Sequence, residues 1–173
     1  MARTQAVGIA ILGAWLAGTL FMWFAATRSF RTVDRVLKAS RPEFELAVQP
    51  LGHDRTRTVL RYLASEINRT YFRLYGWVQV LLGVMLILLL ARQVPRDTVA
   101  VVLVGVMLCL VLILTLVIQP QIVALGRSID FVPRDPAPPA MPRFWMLHGM
   151  FTGLDGVKWL AGLALLVRWI LRA

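Results

Sequence analysis

The sequence predicts an all-α integral membrane protein built as a four-helix bundle. The chain has 173 residues, 58% of them hydrophobic, whereas globular domains use about 45–50% apolar residues. Four stretches are long enough to cross a bilayer, because a span needs about 20 mostly apolar residues. The backbone must satisfy its own hydrogen bonds in lipid, so these stretches are expected to be helices. The predicted spans are 6–26, 71–91, 98–119 and 149–171.

The first span carries a face of small residues. Ala10, Ala14 and Gly18 recur at a spacing of four, which predicts a surface that another helix approaches closely. Arg3 gives the stretch a basic start, as in a signal peptide, but the apolar run is longer than the roughly 7–15 residues of a signal core. We therefore expect a retained helix. Its aromatic residues are interpreted as an interfacial belt: Trp15, Phe21, Trp23 and Phe24.

The segment 27–70 is a basic, helical loop, expected in the cytoplasm. Ser40 and Pro42 indicate a helix start, and Gly52 indicates the end of that helix. Asp54 is expected to cap a second start, and no Gly or Pro interrupts the run from there to Tyr75. The second helix is therefore predicted to begin in the cytoplasm and to enter the membrane unbroken, over about 37 residues and 55 Å. Its outer part is expected to contact anionic lipid headgroups or a neighbour.

The connections in the second half of the chain are short or proline-rich. Residues 93–97 predict a tight turn, so the second and third spans are expected to be antiparallel neighbours. The third span is expected to end at Gln119 and Pro120. The stretch 130–142 holds five of the nine prolines and is interpreted as an extended linker. Cys109 is the sole cysteine and is expected to be a buried filler among Val and Leu.

The net charge of +10 is interpreted as loop charge beside membrane helices rather than as a nucleic-acid interface. The stretches 27–73 and 120–143 hold thirteen Lys and Arg residues, against five on the other side of the predicted spans. This asymmetry predicts both long loops in the cytoplasm and both termini outside.

Polar residues at matching depths predict a buried layer within the bundle. The fourth span holds Asp155 and Lys158 one turn apart. Tyr75 and Gln79 of the second span enter from the same side, and Gln79 and Asp155 differ in depth by roughly 3 Å. Thr19 of the first span lies at a similar depth. The predicted layer therefore contains Thr19, Tyr75, Gln79, Asp155 and Lys158, with His148 at its mouth.

A second face of the fourth span is made of glycine. Gly149, Gly153 and Gly156 fall about 100° away from the polar stripe. Because glycine lets helix backbones approach closely, this face is predicted to pack against a neighbour.

Two interpretations of the polar layer stay open. In the structural one, Asp155 and Lys158 neutralise each other and fix the helix register, because an unpaired charge in a membrane costs several kcal/mol. In the functional one, the layer binds a proton, a cation or a small polar ligand, since ionisable groups inside membrane helices are rare.

The sequence lacks the patterns of common catalytic and cofactor sites. It has no Ser-His-Asp order, no HExxH and no phosphate-binding loop. His148 is the only histidine near a span and His53 lies in a loop, which disfavours haem ligation by two histidines; no metal or cofactor is predicted. We expect a non-enzymatic membrane protein that acts with membrane partners or as an oligomer. The alternatives are a small transporter or channel-like protein that binds a proton or small solute at the acid–base pair, and an accessory subunit of an electron-transfer complex.

Three motifs resemble a known family. They are Gly13-Ala-Trp-Leu-Ala-Gly18, Tyr71-Phe-Arg-Leu-Tyr75 and Arg143-Phe-Trp-Met-Leu-His-Gly149. Together they resemble the four-helix family of transmembrane protein 205 and its bacterial relatives, a domain of unknown function. The resemblance implies a compact four-helix membrane domain with both ends on one side. The protein is expected to lie in a bacterial inner membrane. The family pattern has Asn where this chain has Asp155, and it implies no catalytic residues.

Overall fold

The computed structural model describes residues 2–94 and 96–172, with side chains from Thr4 onward. The described residues form helices and turns, without a strand. Four helical runs among them are long and apolar enough to cross a membrane, so the predicted all-α four-helix fold is confirmed. The helices are α1 (Ala2–Lys38), α2 (Pro42–Val48), α3 (Gly52–Ala91), α4 (Thr98–Ile113), α5 (Gln119–Ser128) and α6 (Met141–Ile170).

The four long helical runs form a closed ring. The first, α1, packs against α3 and α6, while α4 packs against the other sides of α3 and α6. An apolar core fills the centre, because each helix turns a stripe of large side chains inward. Its fully buried members include Leu12, Leu86, Val104, Met107 and Leu165. We call the end with both chain termini the terminal end, and the opposite end, where α1 and α3 extend beyond the apolar stretches, the loop end.

Close approach of helices depends on glycine at two inward positions. A Cβ on Gly76 would lie 2.8 Å from Thr115 Oγ1, and one on Gly162 would lie 2.7 Å from Leu16 Cδ2. Real Cβ atoms do not sit so close to their neighbours, so the absence of a side chain lets α3 and α6 approach the helices beside them.

The helices at the loop end differ in part from prediction. The predicted unbroken second helix is confirmed, although α3 begins at Gly52 and has 40 residues. Neither predicted cap is found: Ser40 bonds to Glu45 at 2.6 Å, and α3 begins before Asp54. The larger difference is in α1, which continues to Lys38. The first 12 residues of the predicted loop, 27–38, therefore extend the first helix, since neither Gly nor Pro interrupts them.

The prediction that the third span ends at Gln119 and Pro120 is wrong. A π-helical turn, Leu114–Ile118, leads directly into α5, which carries Pro120 in its first turn. Proline lacks an N–H group, and its ring normally clashes with the carbonyl four residues earlier. The wider π turn changes the hydrogen-bond register just before the proline, so that the helix continues to Ser128.

Bidentate ion pairs tie the two ends of the bundle. At the terminal end, Arg168 donates two hydrogen bonds of 2.8 Å to Asp97. At the loop end, Arg69 donates bonds of 2.8 and 2.9 Å to Asp130. The hydrogen bonds from Arg168 hold the pKa of Asp97 below its ordinary value. The Arg3 side chain and Pro95, which belongs to the predicted turn, lie outside the described residues.

Candidate functional site

The structure brings the five side chains of the predicted polar layer together. Thr19 lies on α1, Tyr75 and Gln79 on α3, and Asp155 and Lys158 on α6. Hydrogen bonds connect all five across these three helices. The fourth member of the ring, α4, contributes buried apolar side chains such as Met107 and Val111 to the hydrophobic core.

Lys158 is the centre of the layer. Its side chain is 0% exposed, and its ammonium group has three N–H donors that need acceptors. It donates to Asp155 Oδ1 at 2.5 Å, to Thr19 Oγ1 at 3.4 Å and to Gln79 Oε1. One acceptor lies on each of the three helices, so a single side chain links α1, α3 and α6.

Trp15 of α1 forms hydrogen bonds with both α3 residues of the layer. The indole of Trp15 is 0% exposed and donates to Gln79 Oε1 at 3.0 Å. Its backbone carbonyl accepts from the Tyr75 hydroxyl at 2.8 Å. The same hydroxyl lies 2.9 Å from Thr19 Oγ1, and it would meet a Cβ on Gly18 at 2.9 Å. Gly18 therefore gives Tyr75 room to reach the α1 backbone.

Asp155 is held between two charge-assisted donors. Its Oδ1 accepts from Lys158, and its Oδ2 accepts from Trp23 Nε1 at 2.7 Å. The carboxylate is 6% exposed, so these contacts replace the water that it would bind outside the protein. No buried side-chain nitrogen or oxygen in the described part of the chain lacks a hydrogen-bond partner.

The two tryptophans were assigned a different role by sequence reasoning. The aromatic belt interpretation stays a prediction for Phe21 and Phe24, which are 66% and 64% exposed. It is wrong for Trp15, which lies in the core, and for Trp23, which bonds to Asp155. Both lie one turn from Thr19 on the same helix, and this spacing was the signal that could have placed them in the layer.

The remaining predicted site residues lie outside the layer. His148 is exposed and stacks on the ring of Phe144 at 6.0 Å; it lines a groove at the loop end. Within the described chain the two small-residue faces are mostly not covered by another helix, so their packing against a neighbour stays a prediction. Ala10 and Ala14 are exposed, so only Gly18 of that face is closely approached. A Cβ on each glycine of the α6 face would meet nothing within 4 Å in this chain: Gly149, Gly153 and Gly156.

The groove at the loop end has a volume of about 1230 Å³ and lies between α1, α3, α5 and α6. Trp23, Phe72 and Thr152 line its inner end. Because Trp23 also bonds to Asp155, its indole lies between the groove and the buried carboxylate. Sequence reasoning did not find this groove, since its walls come from segments that are far apart in the chain.

The layer has the chemistry of a neutralised, closed ion pair. Each charge has an oppositely charged partner and at least one further hydrogen bond, as a buried pair needs. No group of three or more His, Cys, Asp and Glu side chains within residues 2–94 and 96–172 lies close enough together to hold a metal ion. Cys109, predicted to be buried, is exposed on the apolar surface of α4.

Fold and site together define a class of protein: a four-helix bundle whose helices are long and apolar enough to cross a membrane, with a charged layer in its interior. Comparison with known proteins adds no relative, because no family model, curated protein or solved structure matches the chain.

Proposed function

We propose that the protein is a non-catalytic integral membrane protein whose polar layer fixes the arrangement of its helices. The observation that carries this proposal is the Lys158 ammonium, buried completely and bonded to α1, α3 and its own helix. A transported ion needs a free binding position and a path to water. In the described residues, every donor of this ammonium already has an acceptor.

The membrane placement belongs to the same proposal. The excess of basic residues on the two long loops supports a cytoplasmic loop end, with both termini outside. The resemblance to transmembrane protein 205 and its bacterial relatives supports a bacterial inner membrane. Fusion of a reporter after Arg172 tests the orientation: activity of a periplasmic reporter is expected, and activity of a cytoplasmic one would reverse the assignment.

We further propose that the protein acts with a membrane partner or as an oligomer, through the glycine face of α6. This face packs against nothing in the described chain, and small residues allow close helix contact. In a Cys109→Ser background, Gly153→Cys is expected to give a disulfide-linked species in the membrane. Val167→Cys, also exposed on α6, is the control; equal cross-linking at both positions would contradict a specific contact.

The structural role of the layer is tested by unfolding. Lys158→Met is expected to lower the stability of the purified protein, and adding Asp155→Asn is expected to restore much of it, because the second change removes the uncompensated charge. Single and double variants that all retain wild-type stability would refute the proposal.

One observation favours a second candidate, a proton or solute pathway through the layer. Trp23 lines the groove and also donates a hydrogen bond to the Asp155 carboxylate, so movement of its indole would bring the carboxylate closer to the groove. Proteoliposomes test this candidate directly. Proton flux that depends on Asp155, and that rises in Trp23→Ala, would favour transport; equal flux in all variants and in empty liposomes would exclude it.

A further inference from the structure

We propose that the groove at the loop end binds one anionic phospholipid, with the headgroup on its arginines and an acyl chain along its aromatic inner end. This binding is independent of the structural role of the polar layer. The groove's volume of about 1230 Å³ exceeds the roughly 300–1,000 Å³ of pockets that hold drug-sized ligands, so it has room for a molecule of lipid size.

The outer part of the groove carries uncompensated positive charge. Arg31, Arg57 and Arg61 line it, and Asp34 is the carboxylate that pairs with two of them, at 3.4 Å and 3.6 Å. Three arginines against one aspartate leave a net charge of +2. Arg31 has no acidic partner within 4 Å among the described residues.

The other ionic groups near the groove compensate one another. Arg69 pairs with both Glu66 and Asp130, and Arg127 pairs with Glu66. This cluster is neutral and contributes no attraction for an anion. Arg134 lines the groove too and contacts a methionine sulfur at 3.2 Å, which leaves its charge available. The excess positive charge therefore comes from Arg31 and Arg134, and from Arg57 and Arg61, which share the single carboxylate of Asp34.

The inner part of the groove is aromatic. Trp23 and Phe72 line it together with Phe151, which packs edge-on against Phe72 at 5.8 Å between ring centres. Aromatic and apolar walls favour the burial of a hydrocarbon chain. Trp145 lines the groove and is 59% exposed, so this apolar lining continues onto the outer surface of α6.

The arginines and the innermost aromatic residues lie at different heights along the helix axes, while Phe30, Tyr62 and Phe131 line the groove beside the arginines. On α3, Arg61 precedes Phe72 by eleven residues, which is about 17 Å at 1.5 Å per residue. On α1, Arg31 follows Trp23 by eight residues, or about 12 Å. A phosphate at the arginines would thus leave its chain directed toward the membrane interior. A small anion would use only the outer part and a hydrocarbon only the inner part, so a phospholipid fits the whole groove.

Native mass spectrometry of the full-length protein tests this binding. The protein is freed of lipid and then mixed with phosphatidylglycerol and phosphatidylcholine that have identical acyl chains. We expect one tightly bound phosphatidylglycerol. Arg57→Gln and Arg61→Gln should each weaken its binding about fivefold, and Asp34→Asn should strengthen it by a similar factor. These side chains are 44–50% exposed, so folding is expected to be unaffected, which circular dichroism checks.

Matched controls separate the groove from general surface charge. Arg41→Gln and Glu43→Gln make the same kinds of charge change at exposed positions between α1 and α3, outside the groove lining, and should leave binding unchanged. Phe151→Ala should weaken the binding of phosphatidylglycerol without altering the effect of Asp34→Asn. Equal binding of the two lipids, or equal effects of groove and control variants, would overturn the proposal. Displacement of the lipid by inorganic phosphate would also overturn it, because the site would then recognise phosphate alone.

Discussion

Lys158→Met is the substitution whose effect the structure defines most closely. Methionine has a similar length but no charge, so it removes the ammonium and leaves Asp155 buried, with its carboxylate 6% exposed. The indole of Trp23 would remain as its hydrogen-bond donor. Breaking a buried ion pair by removing one partner costs about 3–5 kcal/mol. We expect the free energy of unfolding to fall by that amount, which is a large part of the stability of a typical domain.

Adding Asp155→Asn should recover most of this loss. Asparagine keeps an oxygen that can accept from Trp23, and the double variant contains no uncompensated charge. The remaining cost is the loss of two bonds between helices, from Lys158 to Gln79 and to Thr19. Such contacts in membrane proteins average about 0.6 kcal/mol each, or about 1 kcal/mol together. The two substitutions should therefore be strongly non-additive, with a coupling energy of at least about 2 kcal/mol.

The assay is equilibrium unfolding of the two single variants, the double variant and the wild type in mixed micelles, followed by circular dichroism. Additive effects of the two substitutions would contradict a stabilising ion pair between Asp155 and Lys158, because they would show that the charges do not stabilise each other. A loss below about 1 kcal/mol in Lys158→Met would refute it as well, since a buried carboxylate without its partner cannot be that inexpensive.

Three further predictions follow from single contacts. Gly76→Ala should destabilise the fold by about 1–3 kcal/mol, because the new Cβ would overlap a stiff threonine side chain. Gly153→Ala should be neutral or stabilising in thermal unfolding. Equal losses of stability in the two variants would contradict the close packing at Gly76. Trp23→Phe should lower the free energy of unfolding by about 1.5–3 kcal/mol, because it removes a hydrogen bond to a buried carboxylate. Trp77→Phe, at a 54% exposed site, should lower it little. Identical unfolding curves for these two variants would contradict the prediction. Hydrogen bonds from its arginine partner lower the pKa of Asp97, so the folded state binds fewer protons there than the unfolded state, and this stabilisation is present above about pH 4 and lost as pH falls further. Asp97→Asn should therefore lower the free energy of unfolding by about 0.5 kcal/mol at pH 7, a value that solvent screening keeps small. The variant should also lose less stability than the wild type as the pH falls below about 4. An unchanged dependence of stability on acid pH would count against the ion pair.

Much of the architecture was predictable because membrane helices obey simple length and periodicity rules. The apolar runs located the four long helices, and a turn of about 100° per residue placed Gln79 and Asp155 on inward stripes at matching depth. Counting residues from the same end of the bundle was enough to bring Thr19 into that layer. No tertiary information was needed for this step, because the rise per residue of a helix is constant.

The residues that sequence reasoning misplaced are those whose role depends on what lies opposite. Trp15 and Trp23 have the composition of an interfacial belt, and only the position of α3 and α6 shows that their indoles bond to Gln79 and Asp155. The glycine face of α6 is not covered by a helix of the described chain, so its predicted contact with a neighbour stays a prediction, because spacing does not tell which face another helix of the same chain covers. The predicted span ended at Pro120 because proline usually stops a helix. Its effect depends on the preceding turn, and the π turn that lets this helix continue was not visible in the sequence.

The central claim, that the polar layer is closed and structural, can be tested by chemical labelling of lysine. The chain contains two lysines, Lys38 and Lys158. Lys38 is exposed at the end of α1, whereas Lys158 is 0% exposed and bonded to three acceptors. Acylation of the folded protein, mapped by peptide mass spectrometry, should modify Lys38 and leave Lys158 intact until the protein is unfolded. Modification of Lys158 in the folded protein at a rate comparable to that of Lys38 would show that the layer opens to water, and would contradict a closed, structural layer.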